Sequence, residues 1–226
     1  MKDLSPRSLF DLTDFAHAAL FDRITHVWEA LEKIESYLRH QKLGKIEIDV
    51  PASVYLIDPG SISIGKGSRI EPGACIRGPC VIGSNCEIRH GAYLRGQVIL
   101  GDHCVIGHDT EIKNSIFLNQ ACAAHFNYVG DSIVGNNANL GAGMKCANAR
   151  FDRLPVSILF KGKKIQTNLK KFGVIVGDNA QLGCNCVTNP GTILGKKSFC
   201  YPCLNISGCI PENAAVKPPH KNLVEE

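Results

Sequence analysis

Aliphatic residues fall at every sixth position from Ile64 to Leu118: Ile64, Ile70, Ile76, Ile82, Ile88, Leu94, Leu100, Ile106, Ile112 and Leu118. A period of six fits neither the helical repeat of about 3.6 residues nor the alternation of a half-buried strand. It predicts stacked coils of parallel β-structure. Each repeat forms one side of a coil and sends one aliphatic side chain into a continuous inner column. Gly65, Gly83 and Gly101 follow the aliphatic eighteen residues apart, and Gly107 follows Ile106. Three repeats therefore make one turn, with glycine supplying the corner dihedrals.

The series then departs from its rule. The next clear aliphatic positions are Val134 and Leu140, and the step from Leu118 to Val134 is not a multiple of six. Residues 119–128, which read Asn-Gln-Ala-Cys-Ala-Ala-His-Phe-Asn-Tyr, are expected to answer to something other than coil filling. Breaks in a strong local pattern tend to mark functional or strained sites. Val176-Gly177, Leu182-Gly183 and Leu194-Gly195 resume the coils in step with Val134.

The flanks differ in kind. Leu20, Ile24, Val27, Leu31, Ile34 and Leu38 recur at steps of three and four, which predicts one or two helices ending near residues 40–43. Residues 1–43 are expected to be a helical cap over the open end of the coils, or an oligomer contact. Residues 44–63 read as an irregular first coil, and 44–218 as the repeat domain. Within it, residues 147–172 form a second departure. The runs 154–159 and 164–169 flank Phe160-Lys161-Gly162-Lys163, a hairpin pattern with a glycine turn. Its Lys161, Lys163, Lys164, Lys170 and Lys171 suit either a solvated loop or a basic flap over an anion. From Pro211 the chain is rich in proline and charge and is expected to lie along the surface, with 219–226 as a tail.

Composition narrows the picture. The 226 residues include one Trp, two Met and 22 Gly, as befits a single elongated domain with a narrow core. A net charge of +4 is too mild for nucleic acid yet allows a local phosphate site. There is no apolar run of ~18 residues and no secretory pattern at the start, so a cytoplasmic protein without a membrane span is expected. Eleven cysteines in such a chain argue against a disulfide framework. Cys184-Asn185-Cys186 and Cys200-x-x-Cys203 could be zinc ligands. Inward cysteines acting as small apolar fillers explain them better, and no metal is expected.

The chemistry-bearing residues carry a resemblance. Arg95, Glu111-Ile112-Lys113, His125-Phe126-Asn127-Tyr128-Val129-Gly130-Asp131, Asn137-Ala138-Asn139-Leu140-Gly141-Ala142-Gly143 and Asn148 resemble the acetyltransferase domain of the bifunctional N-acetylglucosamine-1-phosphate uridyltransferase/glucosamine-1-phosphate acetyltransferase family. Asn148-Ala149-Arg150-Phe151-Asp152 and the basic insertion look closer to the archaeal-type sugar-1-phosphate nucleotidylyltransferase/acetyltransferase branch. The resemblance covers about residues 50–218. It implies an all-β fold, a left-handed parallel β-helix of hexapeptide repeats, assembled as a homotrimer with sites between subunits.

It also implies acetyl transfer from acetyl-CoA, as co-substrate, to the amine of glucosamine-1-phosphate, a step toward UDP-N-acetylglucosamine. Such a reaction needs a base for the amine proton and donors for the oxyanion formed from the thioester. Histidine is the side chain that titrates near neutrality, so His125 is the expected base. The resemblance assigns Glu111 to orient its ring, although the repeat geometry alone does not place the two together. It assigns Tyr128 and Asn139 to the sugar, and Arg95 and Lys113 to its phosphate and nucleotide contacts. It assigns Ala142, through its backbone N–H, and Asn148 to the acyl end of the cofactor. Cys184 and Pro202 fall where backbone contacts to coenzyme A occur.

Some family positions differ. Ala149 replaces an aromatic, and Leu154 and Ser157 replace lysines. Lys161, Lys163 or Lys164 could substitute for the missing cation. Lys217, His220 and Lys221 lie near the place of a C-terminal arginine. No nucleotidyltransferase sequence precedes the coils, so the acetyl step alone is expected. Three alternatives remain: another amino-sugar phosphate as acceptor, an inactive β-helix scaffold, or a γ-type carbonic anhydrase with His90, His103 and His108 as metal ligands.

Overall fold

The computed structural model describes residues 1–218. The expected tail, 219–226, with His220 and Lys221, lies outside the described residues. Three eight-stranded parallel sheets run the length of the molecule as the three sides of a coil. Face A runs from Ile62–Ile64 to Cys209–Ile210, face B from Tyr55–Ile57 to Asn205–Ile206, and face C from Arg69–Ile70 to Ala215–Val216. The inner column is aliphatic, with Ile64, Ile82, Leu94, Ile106 and Ile112 almost wholly buried. This is the parallel β-helix that the six-residue period predicts.

The register explains where the period fails. Ile64 pairs with Ile82, and Ile82 with Leu100, at eighteen-residue spacing. Leu100 then pairs with Phe117, and Phe117 with Val134. Each of these turns is one residue short. Phe117, not Leu118, enters the column, while Leu118 turns outward into a second apolar cluster. A one-residue slip exchanges the faces of a strand. Residues 119–128 are not exempt from coil filling, contrary to expectation, because Ala121 and Ala123 face the core there.

The cysteines divide between inside and outside. Cys80, Cys86, Cys104, Cys146, Cys186 and Cys200 are buried. Burial pushes the Cys146 thiol up to about 12. Within each suspected zinc pair one thiol is buried and the other exposed: Cys186 and Cys184, Cys200 and Cys203. Neither pair converges on one ion.

The N-terminal segment is not an end cap. It comprises α1 (Pro6–Leu9), a 3-10 turn at Ala18–Phe21 and α2 (Glu29–His40). The apolar spacing upstream of Glu29 does not continue the helix. The Glu29 carboxylate instead accepts the N–H groups of Thr25 and His26 at 3.2 and 3.0 Å and turns the chain into α2. Leu31, Ile34 and Leu38 pack sideways onto face A, whose outward row includes Ile99, Ile116, Ile133, Ile175 and Ile193. Asp11 N–H donates to Asp178 Oδ2 at 2.6 Å, and Asn136 Nδ2 donates to Asp11 O at 2.8 Å. The physical reason is that face A is apolar on both sides, so it needs a cover. Ile46, Ile48, Val50 and Val54 pack against the end of the inner column instead.

The insertion forms the expected hairpin, Ser157–Phe160 against Lys163–Gln166. Its two-residue turn, Lys161-Gly162, has positive φ at both positions, as a type I′ turn requires. Val156, Ile158, Leu169 and Phe172 join Trp28 in the cluster on face A, and Lys161 Nζ donates to Lys2 O at 2.7 Å. The tip therefore docks on the N-terminal segment, and Lys161 is committed there rather than to a phosphate. The stretch after Pro211 is likewise more than surface coil, because Ala215–Val216 adds a strand to face C.

Candidate active site

The corner where face C turns into face B carries a continuous ridge. His108 pairs with His125 across adjacent coils. Gly143 N–H donates to His125 O, Asn185 N–H to Ala142 O, and Cys203 N–H to Cys184 O, all at 2.8–2.9 Å. His108, His125, Ala142, Cys184 and Pro202 thus occupy one position on successive coils. The sequence points to four of these residues as acetyltransferase positions and to His108 as a suspected metal ligand, and the register brings all five into one line.

His125 is exposed at the end of the strand Cys122–His125. Its backbone is braced from within. Buried Asn127 accepts the His125 N–H on Oδ1 at 3.2 Å and donates through Nδ2 to Gly141 O at 2.7 Å. Thr110 Oγ1 accepts the Asn127 N–H at 3.3 Å. Phe126, in the left-handed region at φ 54°, stands exposed beside His125, with ring centroids 6.4 Å apart. Ala142 is half-buried, and among the described residues its N–H has no hydrogen-bond acceptor. It is a donor left free for a ligand oxygen.

Face B, on one side of this ridge, holds the polar cluster. Tyr93, Glu111, Tyr128 and Lys145 form one outward row by register. Arg95 and Lys113 flank it, one residue beyond the inward Leu94 and Ile112. Arg95 Nη1 donates to Glu111 Oε1 at 2.5 Å, and this bond holds the guanidinium above the usual arginine range. Lys113 Nζ donates to Asp131 Oδ2 at 2.6 Å. Asn148 Nδ2 donates to the same carboxylate at 2.5 Å and lies 3.3 Å from the Tyr128 hydroxyl. Burial pushes the Tyr128 phenol up. Gly130 makes room for this arrangement, since a Cβ there would lie 2.7 Å from Asn148 Nδ2 and 2.8 Å from the Tyr128 oxygen. A cavity of about 340 Å³ opens beside the cluster, lined by Arg95, Gln97, Lys113, Asn114 and Asp131 with Gly78, Pro79 and Gly96. Its two cations and side-chain amides suit a phosphate.

Two expected relationships are not made within the chain. Glu111 serves Arg95, and among the described residues the His125 ring has no hydrogen-bond partner. Asn139 lies on face C between Cys122 and Gln181, away from Tyr128 on face B. Of the suspected metal ligands, His90 and His108 stack on the corner ridge with centroids 5.5 Å apart. His103 follows the face A strand Val98–Leu100 and belongs to another corner. Lys217 lies over the Tyr201 ring at 6.0 Å. Asp131 and Asn127 are site residues that the sequence reading did not single out. The Gly-Asp step at the end of the histidine–tyrosine motif was the available signal for Asp131. No helix among the described residues is long and apolar enough to cross a membrane.

Known proteins match this chain in sequence. The pattern of the GMPPB C-terminal domain matches residues 76–151, and that of the hexapeptide repeat of succinyl-transferase matches residues 173–199. The bifunctional protein GlmU of Methanococcus maripaludis strain C7 is 39% identical over 92 residues, 41% of this chain and 22% of that protein. The bifunctional sugar-1-phosphate nucleotidylyltransferase/acetyltransferase of Sulfurisphaera tokodaii is 38% identical over 78 residues, 34% of this chain and 20% of that one. The matched region thus spans about a fifth of these archaeal relatives. The uncharacterized acetyltransferase YaiX of Escherichia coli K12 is 32% identical over 196 residues, which cover 83% of this chain and 85% of YaiX.

Proposed function

This chain belongs to the hexapeptide-repeat acetyltransferases related to the acetyltransferase domain of GlmU-type proteins, and on that premise we propose that it acetylates glucosamine-1-phosphate from acetyl-CoA. One observation carries the reading. The exposed His125 stands on a ridge with the Ala142 N–H, which has no acceptor among the described residues, at one edge of face B, and the cavity that Arg95 and Lys113 line opens at the other edge.

The acceptor phosphate enters that cavity and takes Arg95. Glu111, released from the guanidinium, then turns to the His125 imidazole and fixes its tautomer. Tyr128 hydrogen-bonds the sugar, and Asn148, next to its hydroxyl, meets the acyl group. The neutral imidazole removes a proton as the amine attacks the thioester carbon, and the C–N bond forms. The Ala142 N–H stabilises the oxyanion. Collapse of the tetrahedral intermediate breaks the C–S bond, and the departing thiolate takes up a proton. Coenzyme A lies along Ala142, Cys184 and Pro202, where residues of modest size leave the corner open.

The working form is a cytoplasmic homotrimer. Face C of one copy set against face B of the next brings Asn139 toward Tyr128, two residues that a single chain holds apart. The test is thiol release from acetyl-CoA against a panel of amino-sugar phosphates, for the wild type and His125→Ala. Release with glucosamine-1-phosphate that the variant loses supports the reading. Equal rates in the two proteins, or no release with any acceptor, would overturn it. A monomeric mass by sedimentation would remove the trimer.

A further inference from the structure

Asp131 is the most deeply placed charge in the polar cluster. Its exposure is 4%, and a buried carboxylate is costly unless it is paired and hydrogen-bonded. Here it is fully engaged. Oδ2 accepts from Lys113 Nζ at 2.6 Å and from Asn148 Nδ2 at 2.5 Å, and Oδ1 accepts from Asn114 Nδ2 at 2.9 Å. Its backbone is held too, by its N–H to Lys113 O at 3.1 Å and by Gly173 N–H to Asp131 O at 2.8 Å. The chain enters the left-handed region there, at φ 52°.

Two of the three donors belong to different parts of the proposed site. Lys113 lines the cavity assigned to the phosphate. Asn148 reaches the Tyr128 hydroxyl, on the side assigned to the sugar and acyl group. One oxygen of one carboxylate therefore holds a donor of the phosphate cavity together with one that reaches the Tyr128 hydroxyl. A lysine stem and an asparagine amide have several rotamers each, and fixing them before the ligand arrives lowers the ordering cost of binding.

We propose that Asp131 is a positioning residue for the acceptor, whose carboxylate aims Lys113 and Asn148 together and couples phosphate recognition to placement of the reacting amine. The inference rests on the acetyltransferase reading above. Asn114 is the third point that fixes the carboxylate, so that neither functional donor can pull it away.

The experiment compares steady-state kinetics of the full chain with glucosamine-1-phosphate for single and combined variants. Asp131→Asn keeps the shape but cannot accept from both Lys113 and Asn148 as the carboxylate does. Losing a hydrogen bond to a charged group lowers kcat/KM for the acceptor by about 10- to 100-fold, while KM for acetyl-CoA stays within about twofold. Adding Asp131→Asn to a Lys113→Ala/Asn148→Ala protein then changes kcat/KM by less than about twofold, because residues acting as one unit are not additive. An equal loss in both backgrounds would make Asp131 a structural residue only and overturn the proposal.

A second arm does not depend on whether the Asp131 variant folds. Lys113→Ala and Asn148→Ala are coupled through the shared carboxylate, so the double variant loses clearly less than the product of the single losses. A double loss equal to that product would overturn the coupling. A wild type that releases no thiol with any amino-sugar phosphate defeats the acetyltransferase reading and this inference with it. An active wild type with additive variants defeats the inference alone.

Discussion

Glu111 lies one coil above Arg95 and holds its guanidinium at 2.5 Å, so the carboxylate expected beside His125 is engaged elsewhere in the free chain. Both partners are partly exposed, at 42% and 35%, and exposed pairs contribute little to stability. The contact is thus easily exchanged when a phosphate competes for Arg95. Glu111→Gln should lower kcat about tenfold or more with the melting temperature unchanged. Steady-state kinetics with saturating acceptor would check this. A rise in acceptor KM at constant kcat would assign Glu111 to Arg95 alone.

Replacement of His125 by alanine separates chemistry from folding. The side chain is exposed and lacks a polar partner among the described residues, so unfolding free energy should stay within about 0.5 kcal/mol of wild type. Turnover should fall about 10²- to 10⁴-fold, the contribution of a general base. Urea melts and thiol-release rates on the same preparation measure both. Destabilisation matching the loss of activity would make His125 a structural residue.

The coils could be read from Ile64 to Ile112 because every inward residue there at the six-residue spacing is a large aliphatic. Beyond Ile112 that reading failed for a physical reason. The repeat shortens by one residue, and Leu118, itself buried, stays in phase with the old series while facing the opposite way. Val98-Ile99-Leu100, Ser115-Ile116-Phe117 and Val174-Ile175-Val176 are buried along their whole length. Such runs signal strands covered on both faces, and this was the available clue that the N-terminal segment packs along the side. The site motif named most of the residues around the ridge. What it could not show is that Glu111 meets Arg95 rather than His125. That choice is made by side chains reaching between coils, not by spacing along the chain.

The outward row on face A makes the N-terminal segment part of the folded unit. Ile34 is fully buried in the cluster that also contains Ile116 and Ile133. Ile34→Ala should cost about 2–5 kcal/mol, the transfer term plus a cavity. Deleting residues 1–43 should bare Ile99, Ile116, Ile133, Ile175 and Ile193 as a contiguous apolar strip and cause association. Denaturant melts of the point variant and light scattering of the truncated chain test this. A soluble, dispersed truncated protein with native melting would show that the segment is an independent appendage.

Asp178 anchors the same segment and gives stability a definite pH dependence. Burial raises its pKa, against the opposing N–H donors of Asp11 and Asn136. The folded protein therefore holds this proton more tightly than the unfolded chain, and stability falls as pH rises from about 4 through the raised value. Asp178→Asn removes the titration. The stability of wild type relative to the variant should decrease steadily as pH is raised through that range, read from urea midpoints at fixed salt. A relative stability that grows with pH would reverse the sign and exclude desolvation as the dominant influence.

Gly107 is where the coils beneath His125 come closest. An alanine Cβ there would lie 1.5 Å from the Ala124 carbonyl oxygen and 2.5 Å from its Cα, with only backbone atoms available to move. Overpacking in well-filled structure costs about 1–3 kcal/mol, and a backbone clash belongs at or above the upper end. Because Ala124 precedes His125 on the same strand, any relief must also displace the ridge. Gly107→Ala should therefore lose both stability and turnover. Gly60→Ala is the matched control, since nothing lies within 4 Å of its Cβ position, and it should stay within about 0.5 kcal/mol. Thermal melts and thiol release for the pair measure the contrast. Equal behaviour of the two variants would mean that the coils can separate at this corner without disturbing the histidine they support.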